Sequence, residues 1–142
     1  METRFLSDQV VRWRLPAYAG PPPTDSPVAK RLLLPQGELA QIHSGQDPIR
    51  YLAAIELHEG GIRGNHYHLA KCETIYLITG ALTVVAERRE TRERVAIEMC
   101  AGDRIYISPG IAHALRITAS GWAVEYAPDP LDVADIHRYP LV

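Results

Sequence analysis

The sequence predicts an all-β domain, a barrel or sandwich of short strands, and three observations carry that reading. Eleven prolines and ten glycines, spread over 142 residues, cut the chain into short segments. Between the cuts lie brief apolar and β-branched runs bounded by turn residues at regular spacing. No helical period, heptad or internal repeat competes with them.

Taken in order, Val10–Leu15 reads as an arm or edge strand. The run AGPPPTDSP from Ala19 to Pro27 is too proline-rich for helix or central strand and is an extended loop. Arg31–Leu34 is a short apolar strand closed by Pro35-Gln36-Gly37, and Glu38–His43 is another. In Tyr51–Leu57 the odd positions Tyr51, Ala53, Ile55 and Leu57 form one apolar face. Glu59-Gly60-Gly61 turns the chain. Thr74–Ile78 and Ala81–Ala86 are two strands separated by Thr79-Gly80. In Glu87–Arg94, ERRETRER, acids and bases interleave, so it reads as a solvated hairpin tip rather than a basic patch. Val95–Met99 leads to the turn Ala101-Gly102-Asp103, and Arg104–Ile107, Ala114–Thr118 and Trp122–Tyr126 complete the strands. In the last of these Trp122, Val124 and Tyr126 share the face expected in the core. From Asp129 onward there is room for one helical turn. The chain is thus one domain: residues 1–50 hold the arm, the proline-rich loop and the first strands, 51–127 the barrel, and 128–142 a tail.

Composition narrows the partners. At 46% hydrophobic and 23% charged the chain is an ordinary globular mixture. A net charge of −2 and a pI near 6.3 argue against a nucleic-acid surface. No run approaches the roughly 20 apolar residues that span a bilayer, and Met1–Val11 has no signal-peptide core. The expectation is a cytoplasmic protein with a small-molecule substrate and no membrane partner. Cys72 and Cys100 form no CxxC pair and read as free thiols.

Chemistry concentrates between Gly60 and Gly80, GGIRGNHYHLAKCETIYLITG. His66 and His68 are two apart, so on a strand both side chains leave one face. Glu73 follows after a spacer long enough for a turn, so it can return from a neighbouring strand. Two imidazoles and a carboxylate on one face suit a borderline divalent metal with open positions. His113 follows the turn Pro109-Gly110, which can bring in a third imidazole from another strand. Cys72 points away from Glu73 by alternation, and His43, His58 and His137 fit no ligand pattern.

These residues closely resemble the cupin superfamily. Gly60, His66, His68, Glu73 and Gly80 match its first motif, G-x5-HxH-x4-E-x6-G, and Gly102, Gly110 and His113 match the second in register. Ser108 and Ile117 stand where that second motif has proline and asparagine. The resemblance covers Ile55 to Tyr126 and implies a double-stranded β-helix, a jelly-roll-like barrel with His66, His68, Glu73 and His113 holding one divalent transition metal in its mouth. Zinc is favoured over iron, manganese and nickel. It also implies a homodimer, with Val10–Leu34 a candidate contact.

The string Arg63-Gly64-Asn65-His66-Tyr67-His68 is similar to the motif of deoxysugar-nucleotide 3,5-epimerases, and the longer run through Gly80 looks like the zinc-binding C-terminal cupin domain of bifunctional capsular-polysaccharide reductases. The function so implied is a metal-dependent isomerase or epimerase of a small polar, nucleotide-linked sugar. Arg63 is then the phosphate-binding candidate. A metal-bound histidine has no free lone pair, so the base is sought among Tyr67, Tyr76, Tyr106 and a hydroxide on the metal, with Tyr67 the catalytic candidate beside Arg63. Three histidines and a glutamate equally serve Fe(II)-dependent dioxygenases, and the same barrel can bind a metabolite without turnover.

Overall fold

The computed structural model describes all residues, Met1–Val142, and its regular structure is β-strand, antiparallel throughout except between Ala17–Tyr18 and Lys30–Leu34, with one short helical turn. The strands are β1 (Glu2–Phe5), β2 (Val10–Arg14), β3 (Ala17–Tyr18), β4 (Lys30–Leu34), β5 (Gly37–Gln41), β6 (Tyr51–Leu57), β7 (Ile62–Tyr67), β8 (Glu73–Arg88), β9 (Arg94–Cys100), β10 (Asp103–Ile107), β11 (Ile111–Ala127) and β12 (His137–Arg138). A single 3-10 turn, Val133–Asp135, fills the helical turn expected in the tail. No helix is long and apolar enough to cross a membrane.

The main sheet has nine strands, in the order β1-β2-β10-β8-β11-β7-β12, with β6 added to β11 and β9 to β8. β3, β4 and β5 form a separate small sheet, with the proline-rich loop between β3 and β4. Glu2–Phe5, which carries no strand signal in the sequence, pairs with β2 across a turn in which Leu6, Ser7 and Asp8 all have positive φ. β2 in turn pairs with β10, so the N-terminal hairpin joins the barrel sheet.

Two pairs of predicted strands prove to be single long ones. β8 runs unbroken from Glu73 to Arg88, pairing with β10 through its first half and β9 through its second. β11 pairs with it from Ile111 to Tyr126. Thr79-Gly80 is therefore a bend, and pairing resumes beyond it. Gly80 has φ 92°, and a Cβ there would lie 2.6 Å from the Ala119 carbonyl oxygen, so only glycine lets the two backbones approach at this corner. Opposite it, β11 shifts register between Ile117 and Ala123.

Inward faces of both long strands make the core: Leu77, Leu82 and Val84 of β8, and Leu115, Ile117 and Ala123 of β11, with Ile97, Ile105 and Ile107 from their neighbours. Each fully buried aliphatic side chain contributes about 1.5–3 kcal/mol. β6 alternates as expected, odd positions inward.

The end of β11 does not. Ala123 is buried in the core and Glu125 points into the barrel, whereas Trp122 is 46% exposed and Val124 and Tyr126 face the segment Ala40–Leu52 on the outer side. Apolar residues on both faces of Trp122-Ala123-Val124-Glu125-Tyr126 hid the direction, because outer Tyr126 is covered by His43, with ring centroids 5.5 Å apart. The charged hairpin also differs at its base: Glu87 is buried, 3.0 Å from Arg94 and accepting from the Tyr139 hydroxyl. Both cysteines are free.

Candidate metal centre

His66 is the last residue but one of β7, His68 directly follows that strand, Glu73 opens β8 and His113 lies near the start of β11. One ligand atom from each falls within 4.8 Å of the others. The His66 ring centroid is 4.8 Å from that of His68 and 4.9 Å from that of His113. The fold thus brings together the four side chains named from the sequence.

A bulge makes the meeting possible. β7 pairs His66 with His113 but Gly64 with Ala114, so Asn65 is the extra residue. Gly64 has φ 84°, and a Cβ on it would sit 2.8 Å from the His113 carbonyl oxygen. Asn65, at φ 57°, occupies the left-handed region that asparagine tolerates. Its side-chain oxygen accepts the backbone N–H groups of Leu141 (2.8 Å) and Val142 (3.2 Å). The bulge also brings Arg63 to the same mouth as His66, although the two are an odd number of residues apart.

Hydrogen bonds fix the direction of two imidazole lone pairs. Nδ1 of His68 is 2.8 Å from the Asp135 carbonyl oxygen, and Nδ1 of His113 is 3.0 Å from that of Ile111. A carbonyl only accepts, so Nδ1 carries the proton in both rings and Nε2 of the neutral ring is a bare lone pair. These lone pairs face Glu73: His68 Nε2 is 2.7 Å from Oε1, and His113 Nε2 is 2.8 Å from Oε2. The second contact is badly angled for a hydrogen bond, and His113 Nε2 is buried with no partner. Lone pairs that converge on a carboxylate repel unless a proton or a cation lies between them. An N3O donor set of this kind fits a borderline divalent cation.

The electrostatics show both ways of relieving such a contact: a ring left neutral with its lone pair free for a cation, or a proton held between ring and carboxylate. Burial, then the charges of His113 and His68, lowers His66 to about 4, leaving it neutral with its lone pair free near pH 7. Burial also opposes a charge on His68, but the hydrogen bond and charge of Glu73 and the Asp135 carbonyl outweigh it, and its pKa is raised. For Glu73, burial favours the acid, yet His113 and His68 hold it well below the usual carboxylate range. Lys71, also buried, places Nζ 3.5 Å from Glu73 Oε1 and 4.3 Å from the Tyr51 ring centroid.

A cavity of about 120 Å³ opens beside these groups, lined by Arg63, His66, Glu73, His113 and Glu125 together with Ile55, Ile75 and Leu115. Burial, then the charge of Glu73, raises Glu125 to about 7. Sequence reading passed over this residue; its signal was a lone acid within an apolar strand. Arg63 donates to the Glu56 carbonyl (3.1 Å) and also walls an adjoining depression of about 350 Å³, with Glu56, His58, Gly61, Ile62 and Ile117. The largest cavity, about 660 Å³ beside His43, touches none of the four.

Tyr67 is elsewhere. It alternates to the outer side, stacked on His137 at 4.9 Å with the Arg89 guanidinium 3.8 Å from its ring centroid. Packing therefore accounts for Tyr67, and it does not face the cavity. Tyr76 is buried on the face opposite Glu73 and Ile75, and Tyr106 stands beside Cys72. His58 is exposed and paired with Glu56.

No protein-family model and no curated protein matches the sequence. Solved structures do. The TDP-quinovose 3,4-ketoisomerase WlaRB from Campylobacter jejuni superimposes with a TM-score of 0.68 at 14% identity, over 78% of this chain and 88% of that one. The 3'-monoepimerase ChmJ from Streptomyces bikiniensis, solved with dTDP-quinovose, gives 0.75 at 15% identity over 96% and 72%. The dTDP-6-deoxy-D-glucose-3,5-epimerase RmlC from Legionella pneumophila gives 0.72 at 12% identity over 96% and 75%. The chain has the cupin fold that these enzymes share.

Proposed function

We propose that this protein is a metal-dependent isomerase or epimerase of a nucleotide-linked keto sugar. The observation that carries the reading is the convergence of His66, His68 and His113 on Glu73, with the lone pairs of His68 and His113 directed at it and Glu125 beside them. The solved structures of the same fold are sugar-nucleotide ketoisomerases and epimerases, which supports the substrate class.

His66, His68, Glu73 and His113 would hold the ion, with zinc the favoured choice. When bound, it supplies a Lewis acid for a ketone or hydroxyl oxygen, which acidifies the adjacent C–H. The chain's own residues do the rest. Glu125 replaces the tyrosines as the base: it lines the cavity, and a carboxyl near 7 can both take and return a proton at neutral pH. Ile55, Ile75 and Leu115 give it an apolar wall. At about 120 Å³ the cavity is too small for a whole nucleotide-linked sugar, so only part of the substrate enters. The rest of the substrate lies over the rim, where Arg63 spans both depressions and offers the unused part of its guanidinium to a phosphate. A homodimer remains part of this proposal, supported by the exposed Leu33, Leu34 and Leu39 of the small sheet.

The test is a metal-loaded sample with a nucleotide-linked 4-keto-6-deoxyhexose in D2O, followed by proton NMR. Loss of a ring C–H signal beside the ketone, abolished in Glu125→Gln, is the expected result. Tight binding without exchange would leave a binding protein, and substrate-dependent O2 uptake with an iron-loaded sample would make it an oxygenase.

A further inference from the structure

The loop from His68 to Glu73 carries half of the candidate donor set, and its conformation is held from outside the barrel. Asp135 ends the 3-10 turn of the tail, 66 residues beyond Leu69. Its carboxylate accepts three successive backbone N–H groups: Leu69 (2.8 Å), Ala70 (3.0 Å) and Lys71 (3.3 Å). These bonds and that of the His137 ring lower its pKa to about 2, so the carboxylate is charged and a strong acceptor at neutral pH. The carbonyl of the same residue receives the His68 Nδ1 proton at 2.8 Å.

One residue thus does two things to the site. It shapes the loop between His68 and Glu73, and it selects the His68 tautomer whose Nε2 lone pair faces Glu73. The carbonyl would be in any backbone; what holds it against His68 is the threefold clamp of its own side chain. The tail is in turn zipped to the other ligand strand, by β12 pairing with β7 (His137 with Tyr67, Arg138 with His66) and by Tyr139 N–H donating to the Asn65 carbonyl at 2.7 Å.

We propose that Asp135 is the positioning residue of the metal centre, setting the loop and the His68 tautomer without touching ion or substrate. This rests on the reading of His66, His68, Glu73 and His113 as a metal site, and the experiment separates the two. Zinc affinity is measured by competition with a chromophoric chelator for the wild type, Asp135→Ala, Asp135→Asn and Asp132→Ala. Histidine tautomers are read by long-range 1H–15N NMR on the zinc-loaded and zinc-free proteins. Asp132 caps the same turn, its Oδ1 accepting Ala134 N–H at 3.0 Å, but it does not reach the loop, so its variant controls for fraying of the tail.

Asp135→Ala is expected to weaken zinc about 10- to 100-fold and to lose the single Nδ1–H signal of His68. Asp135→Asn, which keeps an acceptor but not its charge, should lose less, and Asp132→Ala should stay near the wild type. Wild-type zinc affinity and an unchanged His68 signal in Asp135→Ala would overturn the proposal, as would an equal loss in Asp132→Ala. If the wild type itself binds neither zinc nor iron, manganese or nickel, the metal reading fails. The His68 signal of zinc-free Asp135→Ala then decides the positioning role alone: loss of Nδ1–H upholds it and retention overturns it.

Discussion

Replacing Glu73 by glutamine should separate the metal centre from a purely structural cluster, because the two predict opposite signs for the stability of the metal-free protein. With both rings neutral, the wild-type carboxylate meets the Nε2 lone pairs of His68 and His113 at 2.7 and 2.8 Å, with both rings already donating from Nδ1 to backbone carbonyls. Glutamine offers an N–H to one of them. Making one buried hydrogen bond in place of a repulsive contact is worth about 1 kcal/mol, or roughly 3 °C in Tm for a chain of this size. Glu73→Gln is therefore expected to melt at or a few degrees above the wild type in EDTA. With zinc at about 100-fold over Kd the wild type should gain about 2.7 kcal/mol, some 8 °C, and the variant almost nothing. Differential scanning fluorimetry reads both. A variant that melts well below the wild type without metal, with neither protein responding to zinc, would refute the reasoning and make Glu73 a structural acceptor of two imidazolium groups.

Other expectations follow from the same geometry. Gly64→Ala places a side chain at φ 84° and a Cβ 2.8 Å from the His113 carbonyl oxygen; it should cost about 1–2 kcal/mol in conformational strain alone and weaken metal binding, checked by urea melts and chelator competition. Asp103 is wholly buried, bound by Arg14 at 2.8 and 3.0 Å and by Cys100 N–H at 3.0 Å. Asp103→Ala should cost about 2–3 kcal/mol, below the figure for a fully buried pair because Arg14 is half exposed, with the urea midpoint lowered and the m value unchanged. Stability of the metal-free protein should fall above the ordinary histidine pKa and stay nearly level below it. The level stretch arises because the contribution of Glu125, raised to about 7, is lost as pH rises from about 4.5 toward 7 and so opposes that of His66. His68, whose pKa is raised on folding, contributes stability below about 6.5 that is lost as pH rises through its folded value; His66, lowered to about 4, withdraws stability as pH falls from about 6.5 toward 4. Melts in EDTA across that range check it, and His66→Gln, which leaves Glu125 unopposed, should become more stable as pH falls from about 6.5 to 4.5.

Much of the site was legible in the sequence because its rules are local. His66 and His68 share a face by strand alternation, and Glu73 returns after a short loop. His113 follows a glycine turn. What escaped was set by distance or by masking. Asp135 meets the ligand loop from far along the chain, and no spacing rule reaches it. Glu125 sits among apolar residues on both faces of β11, so alternation pointed its neighbours inward and left the acid outside. Arg63 and His66 have opposite parity, and the bulge at Gly64-Asn65 reconciles them. Gly80 looked like a turn because a glycine amid β-branched runs usually is one; here it bends a strand that continues.

The central claim is that these four side chains hold an ion. Its most direct test is elemental analysis by mass spectrometry of the protein purified without added metal, beside His66→Ala and His113→Ala shown to be folded by circular dichroism. A single equivalent of one divalent transition metal in the wild type, lost from both variants, is the expected result. Full occupancy in both folded variants, or a wild type that holds no transition metal and takes none up, would contradict it.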